Sequence, residues 1–153
     1  MNKISSIIFF NFLLILLTGC DGLKIQEKDK LVIDPSLCQF STGECWQNVA
    51  DLQVGLLIDP VNAPSEKPLI ITLKSNQAIT NISMRLEGRD MFMGLIPVSL
   101  SEIKHKVYQG SLIFGSCSSN YMVWRAKVSF EHKGISHSVW FDFLADAQQK
   151  SAR

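Results

Sequence analysis

Residues 124–143 read WRAKVSFEHKGISHSVWFDF, and this stretch decides the fold. Trp124, Ala126, Val128 and Phe130 alternate strictly with Arg125, Lys127 and Ser129. After Glu131-His132-Lys133-Gly134, the alternation resumes with Val139, Phe141 and Phe143. Successive side chains of a strand point to opposite faces, so a period of two packs one face and leaves the other wet. Two such runs joined at Lys133-Gly134 predict an antiparallel hairpin.

The same period recurs upstream. Leu52, Val54, Leu56 and Ile58 alternate before the turn-forming Pro60-Val-Asn-Ala-Pro64. Leu69, Ile71 and Leu73 form the next run, then Ile82, Met84 and Leu86, ending at Gly88. Val107 to Phe114 is a further short run. Short strands at regular spacing, punctuated by Pro, Gly and Asn, predict an all-β fold. The expected architecture is an antiparallel immunoglobulin-like or cupredoxin-like β-sandwich of about seven strands over residues 38–147. No amphipathic helix longer than about two turns is expected. Met84 shares the apolar phase of its strand, and Trp46, Trp124 and Trp140 are expected in the core, Trp46 against a nearby cysteine bridge.

The 153 residues carry 15 basic and 14 acidic side chains, a net charge of +1. That balance provides no field for nucleic acid or a polyacidic partner. The 46% apolar content is concentrated in part at the N-terminus. Met1-Asn-Lys3 is followed by an apolar run of about 14 residues and then by Thr18-Gly19-Cys20. A basic start, a short apolar stretch and small residues at its end predict a secretory signal over residues 1–19. The stretch is too short for a comfortable membrane span.

Leu17-Thr18-Gly19-Cys20 resembles the bacterial lipobox, in which cleavage leaves the cysteine first and lipid is attached to its sulfur. The resemblance implies acyl chains on Cys20. Each buried methylene contributes about 0.8 kcal/mol, so several chains anchor the protein essentially permanently. Asp21 resembles the signal that retains such lipoproteins in the inner membrane. The expected location is the periplasmic face of the cell membrane. Asp21 to Leu37 is mostly polar and reads as a tether. Fully extended, it reaches about 56 Å, and as a flexible chain about 23 Å. Residues 148–153 form a polar tail.

With Cys20 lipidated, three cysteines remain in an oxidising compartment. Cys38 and Cys45 flank the turn-like Gln-Phe-Ser-Thr-Gly-Glu, and closing that loop contributes about 2.5 kcal/mol on the chain-entropy estimate. This pairing is the expected disulfide, with pairings through Cys117 still open. Cys117 then remains as the odd thiol, in the turn-rich Phe114-Gly-Ser-Cys-Ser-Ser-Asn120. It is either a buried, inert residue or one with a use.

Met91 and Met93 lie two apart in Gly88-Arg-Asp-Met-Phe-Met-Gly94, so an extended backbone would point both to one side. Met122 opens the strand that follows Cys117. Thiolate and thioether ligands are soft and select copper(I). Met91, Met93, Cys117 and Met122 are therefore the candidate metal ligands, provided the sandwich brings them to one end. The competing reading has Met91 and Met93 filling a gap in the core. His105, His132 and His137 have no convincing ligand spacing. A blue-copper centre, which needs two His and a Cys, is not indicated.

Cys38…Gly43-Glu44-Cys45, Pro68-Leu69, Gly88-Arg-Asp-Met-Phe-Met-Gly94 and Cys117…Met122-Val-Trp124 resemble a group of small proteobacterial periplasmic proteins built as one β domain. These resemble the β-sandwich accessory proteins that handle copper around respiratory oxidases. The resemblance spans about residues 38 to 145. It implies metal delivery or oxidase assembly, with a membrane-embedded complex as partner. The chain departs from the better-known periplasmic copper chaperones in lacking their histidine-methionine motif. The alternative is a metal-free module that docks on a membrane complex. No Gly-x-Ser-x-Gly elbow, His-Glu-x-x-His helix, phosphate loop or dinucleotide fingerprint occurs, so no enzyme activity is expected.

Overall fold

A computed structural model of the chain describes residues 34–117 and 122–147. The signal segment, Cys20, the tether up to residue 33 and the tail from residue 148 lie outside the described residues.

The hairpin of residues 123–144 forms as its alternation predicts. Strand β8 (Val123–His132) pairs antiparallel with β9 (Ile135–Leu144), with Trp124 opposite Phe143 and His132 opposite Ile135. The two-residue turn has φ of 51° at Lys133 and 77° at Gly134. Positive φ at both central residues is the type I′ turn, whose twist matches that of the flanking strands. Trp124, Ala126, Val128 and Phe130 are all buried, as are Val139, Phe141 and Phe143.

Seven further strands complete two sheets: β1 (Cys45–Val49), β2 (Leu52–Asp59), β3 (Leu69–Ser75), β4 (Thr80–Gly88), β5 (Leu95–Val98), β6 (Ser101–Lys104) and β7 (Val107–Leu112). One sheet has the order β1-β2-β3-β7-β6 and the other β5-β4-β8-β9, with every pairing antiparallel. The fold is an antiparallel β-sandwich. Among the described residues there are nine strands, where about seven were expected and six apolar runs stand in the sequence. The three not foreseen, β1, β5 and β6, each lie at a sheet edge and are four or five residues long. Their burial is weak, and β6 is exposed throughout, so no apolar alternation marks them.

The core lies between the sheets. Leu52, Val54, Leu56, Ile58, Leu69, Ile71 and Leu73 of the first face Leu86, Ala126, Val128, Phe141 and Phe143 of the second. Full burial of each large apolar side chain contributes about 1.5–3 kcal/mol. Met84 joins this core, as its phase predicts. Of the three tryptophans only Trp124 does so. Trp46 and Trp140 are half-exposed, because each sits on the outward phase of its strand. Trp46 lies flat on Gly55, where a Cβ would come within 2.9 Å of the indole ring.

The sandwich has two distinct ends. One holds the turns β1–β2, β3–β4, β6–β7 and β8–β9. There Lys133 pairs with Asp51 at 2.7 Å and His132 Nδ1 meets the Ala78 carbonyl at 2.9 Å. The other end gathers the β2–β3 loop, the residues after β7 and the chain on either side of β8 and β9. The amides of Asp146 and Ala147 donate to the carbonyls of Ala63 and Asn62, and the Glu66 amide donates to the Phe114 carbonyl.

Candidate functional site

The second end carries the sulfur-bearing residues. Arg89, Asp90 and Met91 form a bend after β4, and the chain runs through Phe92 to Gly94 into β5. The Arg89 amide donates to the Val123 carbonyl, which holds this bend beside the start of β8. Gly88 is required at the close approach. A Cβ there would overlap the Met91 carbonyl oxygen and come 2.6 Å from Met122 Cε. The missing side chain is what allows the 89–94 loop to fold back over Met122.

Cys117 enters the same corner from the segment after β7. Its thiol donates to the Met91 thioether with Sγ···Sδ 4.0 Å. Met91 is 49% exposed and Cys117 half-buried, whereas Met122 is buried at 7% exposure. Met93 is half-buried and packs against the core. The loop bends rather than extends at Met91, so the two methionines have different surroundings. Gly88 thus has the Met91 backbone and Met122 Cε beside it, Cys117 reaches the Met91 sulfur, and Met93 packs against the core.

An aromatic wall backs this corner. Phe114 lies 5.0 Å from Trp124 and 6.1 Å from Phe143, and Phe143 lies 5.7 Å from Phe40. Phe40 sits in a short 3-10 turn, Phe40–Thr42, between Cys38 and Cys45. Those two cysteines are disulfide-bonded, with Cα atoms 5.4 Å apart, so the expected staple is present. It fixes Phe40 against the core.

A network of ion pairs holds the start of the domain to the same region. Arg89 Nη1 donates to Asp34 Oδ2 at 2.9 Å and its Nε to Asp90 at 3.1 Å. Asp34 also accepts from the hydroxyl and the amide of Ser36, at 2.6 and 2.9 Å. These bonds from Ser36, then Arg89, lower the Asp34 pKa to about 2. Arg125 grips Asp142 with two bonds of 2.7 and 2.8 Å, and Asp142 raises the Arg125 pKa. The Asp142 carbonyl accepts from the Cys38 amide at 2.7 Å. None of Asp34, Arg89 and Asp142 was singled out from the sequence. They lie up to 108 positions apart, and no spacing signal links them.

The histidines sit elsewhere. His105 lies in the β6–β7 turn and His132 ends β8, both at the opposite end, and the His137 ring lies 5.8 Å from that of Phe130. Among the described residues, no three His, Cys, Asp or Glu side chains gather as a metal cluster. At this corner a soft cation would be met by the Cys117 thiol and the Met91 thioether.

No protein-family model and no curated protein matches the chain. Among solved structures, it is similar to a DUF4785 family protein from Legionella pneumophila, with a TM-score of 0.50 and 16% identity over 63% of this chain. The chain spans 29% of that protein's length. It also matches BhCBM56, with a TM-score of 0.42 and 12% identity, over 64% of this chain and 96% of the other. At 16% identity, the first of these likenesses concerns the fold alone.

Proposed function

We propose that the protein is a lipid-anchored periplasmic lipoprotein whose sandwich binds copper(I), serving metal delivery or respiratory oxidase assembly. One observation supports the metal reading above the others: the 4.0 Å approach of Cys117 Sγ to Met91 Sδ at a partly exposed corner. Cys117 supplies the thiolate and Met91 the thioether, and Met122, whose Cε lies beside Gly88, is the further sulfur at this corner. Soft donors of this kind favour copper(I) over harder ions. A thioether that remains half-exposed lets a partner reach the ion and take it.

The anchor rests on the Leu17-Thr18-Gly19-Cys20 motif. Mass spectrometry of the mature N-terminus tests it, with diacylglycerol on Cys20 as the expected result. An unmodified Cys20 overturns the anchor. The metal reading is tested by anaerobic titration of copper(I) against a chromophoric chelator. Wild type should compete at one equivalent, and a Met91→Leu, Cys117→Ser variant should bind at least about 100-fold more weakly. Equal affinity in the two overturns copper binding.

A second reading, a metal-free module docking on a membrane complex, is favoured by Phe92, which is 86% exposed at the tip of the same loop. Co-purification from membranes unchanged by Met91→Leu, Cys117→Ser but lost on Phe92→Ala would favour it.

A further inference from the structure

The 89–95 loop presents a crest of apolar side chains at the end of the sandwich where the described chain begins. Phe92 is 86% exposed, Leu95 57% and Met91 49%. They fall within five consecutive residues, and a cluster of this kind marks an interaction site more often than scattered apolar residues do. Asp34, the first described residue, is hydrogen-bonded to Arg89 at 2.9 Å, three positions before Phe92. Ser36 Oγ also lies 3.5 Å from the Arg89 guanidinium. The direction from which the chain enters the domain is therefore fixed next to the crest.

Thirteen residues separate Cys20 from Asp34. Extended, they reach about 45 Å. The opposite end of the sandwich lies a further strand length away, about 33 Å for ten residues such as β8. If Cys20 is acylated, the end of the domain bearing Asp34 and the crest is the one the tether holds at the bilayer.

We propose that the Phe92–Leu95 crest inserts into the headgroup–acyl boundary of the outer leaflet of the inner membrane, with Phe92 as its wedge. This inference rests on the lipid anchor proposed above, and not on the metal. A phenyl ring at a loop tip is suited to this boundary, because its apolar body leaves water while the backbone stays hydrated. The basic side chain of the loop, Arg89, is engaged by Asp34 and Asp90. Binding is therefore driven by apolar contact and changes little with salt, unlike that of a polybasic patch. Insertion also orients the sandwich, so that Met91 and Cys117 lie at the membrane surface and the β8–β9 turn faces the periplasm.

The test uses the full lipidated chain reconstituted into vesicles of phosphatidylethanolamine and phosphatidylglycerol at 3:1. In a Phe92→Trp variant, the additional emission should shift blue by about 10 nm and be quenched by acyl-brominated lipid beyond the wild-type signal. A Lys133→Trp variant, at the opposite end, should show neither effect. If Phe92→Trp behaves like Lys133→Trp while acylated Cys20 is present by mass spectrometry, the insertion is overturned and the anchor stands. An unmodified Cys20 overturns the anchor and this inference together. A blue shift in native membranes but not in pure lipid vesicles assigns the crest to a protein partner and overturns lipid insertion.

Discussion

Arg125 and Asp142 face each other across the β8–β9 ladder and share two parallel hydrogen bonds of 2.7 and 2.8 Å. The Arg125 guanidinium also lies 5.9 Å from the centre of the half-exposed Trp140 ring. Asp142 is 8% exposed, so removal of its carboxylate leaves a partly desolvated guanidinium without its bidentate partner. Asp142→Ala should cost about 1–3 kcal/mol, allowing for the solvent that reaches Arg125. Urea denaturation of wild type and variant measures this. Arg125→Ala should cost less, because Arg89 Nη1 stays 3.8 Å from Asp142 Oδ2, and the double variant less than the sum of the two.

Gly88 is where the fold and the candidate site constrain each other. A methyl group there meets Met122 Cε at 2.6 Å and collides with the Met91 backbone. The thioether can move, but the backbone yields only if the whole loop shifts. Gly88→Ala should therefore lower stability by about 1–3 kcal/mol. It should also displace Met91 from Cys117, weakening copper(I) affinity more than stability. Thermal unfolding and chelator competition on the same sample separate the two effects. A variant with unchanged affinity would show that the Met91 position does not govern the site.

Asp34 provides a pH-dependent tie. Its folded pKa is lowered from 3.8 to about 2, chiefly by the Ser36 hydroxyl and amide and then by Arg89. A carboxylate held below its unfolded value contributes stability above that unfolded value and loses it as pH falls through the folded one. The contribution is complete above about pH 4 and disappears toward pH 2. Asp34→Asn should flatten the fall in stability across that window and change its slope little above pH 5. Chemical denaturation at intervals from pH 2 to pH 6 gives the two slopes.

The sequence discloses the sandwich wherever a strand has one wet and one dry face. β2, β3, β4, β8 and β9 each carry that alternation, β7 shows as a short run, and each is present. β1, β5 and β6 were missed because an edge strand buries little, and Ser101-Glu-Ile-Lys104 has no apolar rhythm to detect. Trp46 and Trp140 face outward, against expectation, because strand phase and not residue type decides burial. Trp140 sits one position from Val139 and Phe141, and that offset turns it outward. At the site, Met91 and Met93 were legible as a pair, but their i, i+2 relation applies only to extended backbone and the loop bends at Met91. The convergence of Met91 and Met122 around Gly88 depends on pairing β4 with β8, which places Gly88 opposite Trp124. Such a long-range register is not written in local spacing. Asp34 and Arg89 were invisible for the same reason.

The turn at Lys133-Gly134 gives a case where an imperfect residue can be improved. Lys133 holds a φ of 51°, a region in which a long side chain is strained and asparagine is tolerated. Lys133 also pairs with Asp51 at 2.7 Å, but both side chains are more than half exposed, and such pairs contribute about 0–1 kcal/mol. Lys133→Asn gains turn preference and loses that ion pair. At low salt the two effects should nearly cancel. At 1 M salt the ion pair is screened in wild type, and the variant should be the more stable by about 0.5 kcal/mol. Denaturation midpoints at the two ionic strengths decide the matter. A variant less stable than wild type at both would show that the Lys133–Asp51 contact, which joins the β8–β9 turn to the β1–β2 turn, outweighs the backbone preference even when screened.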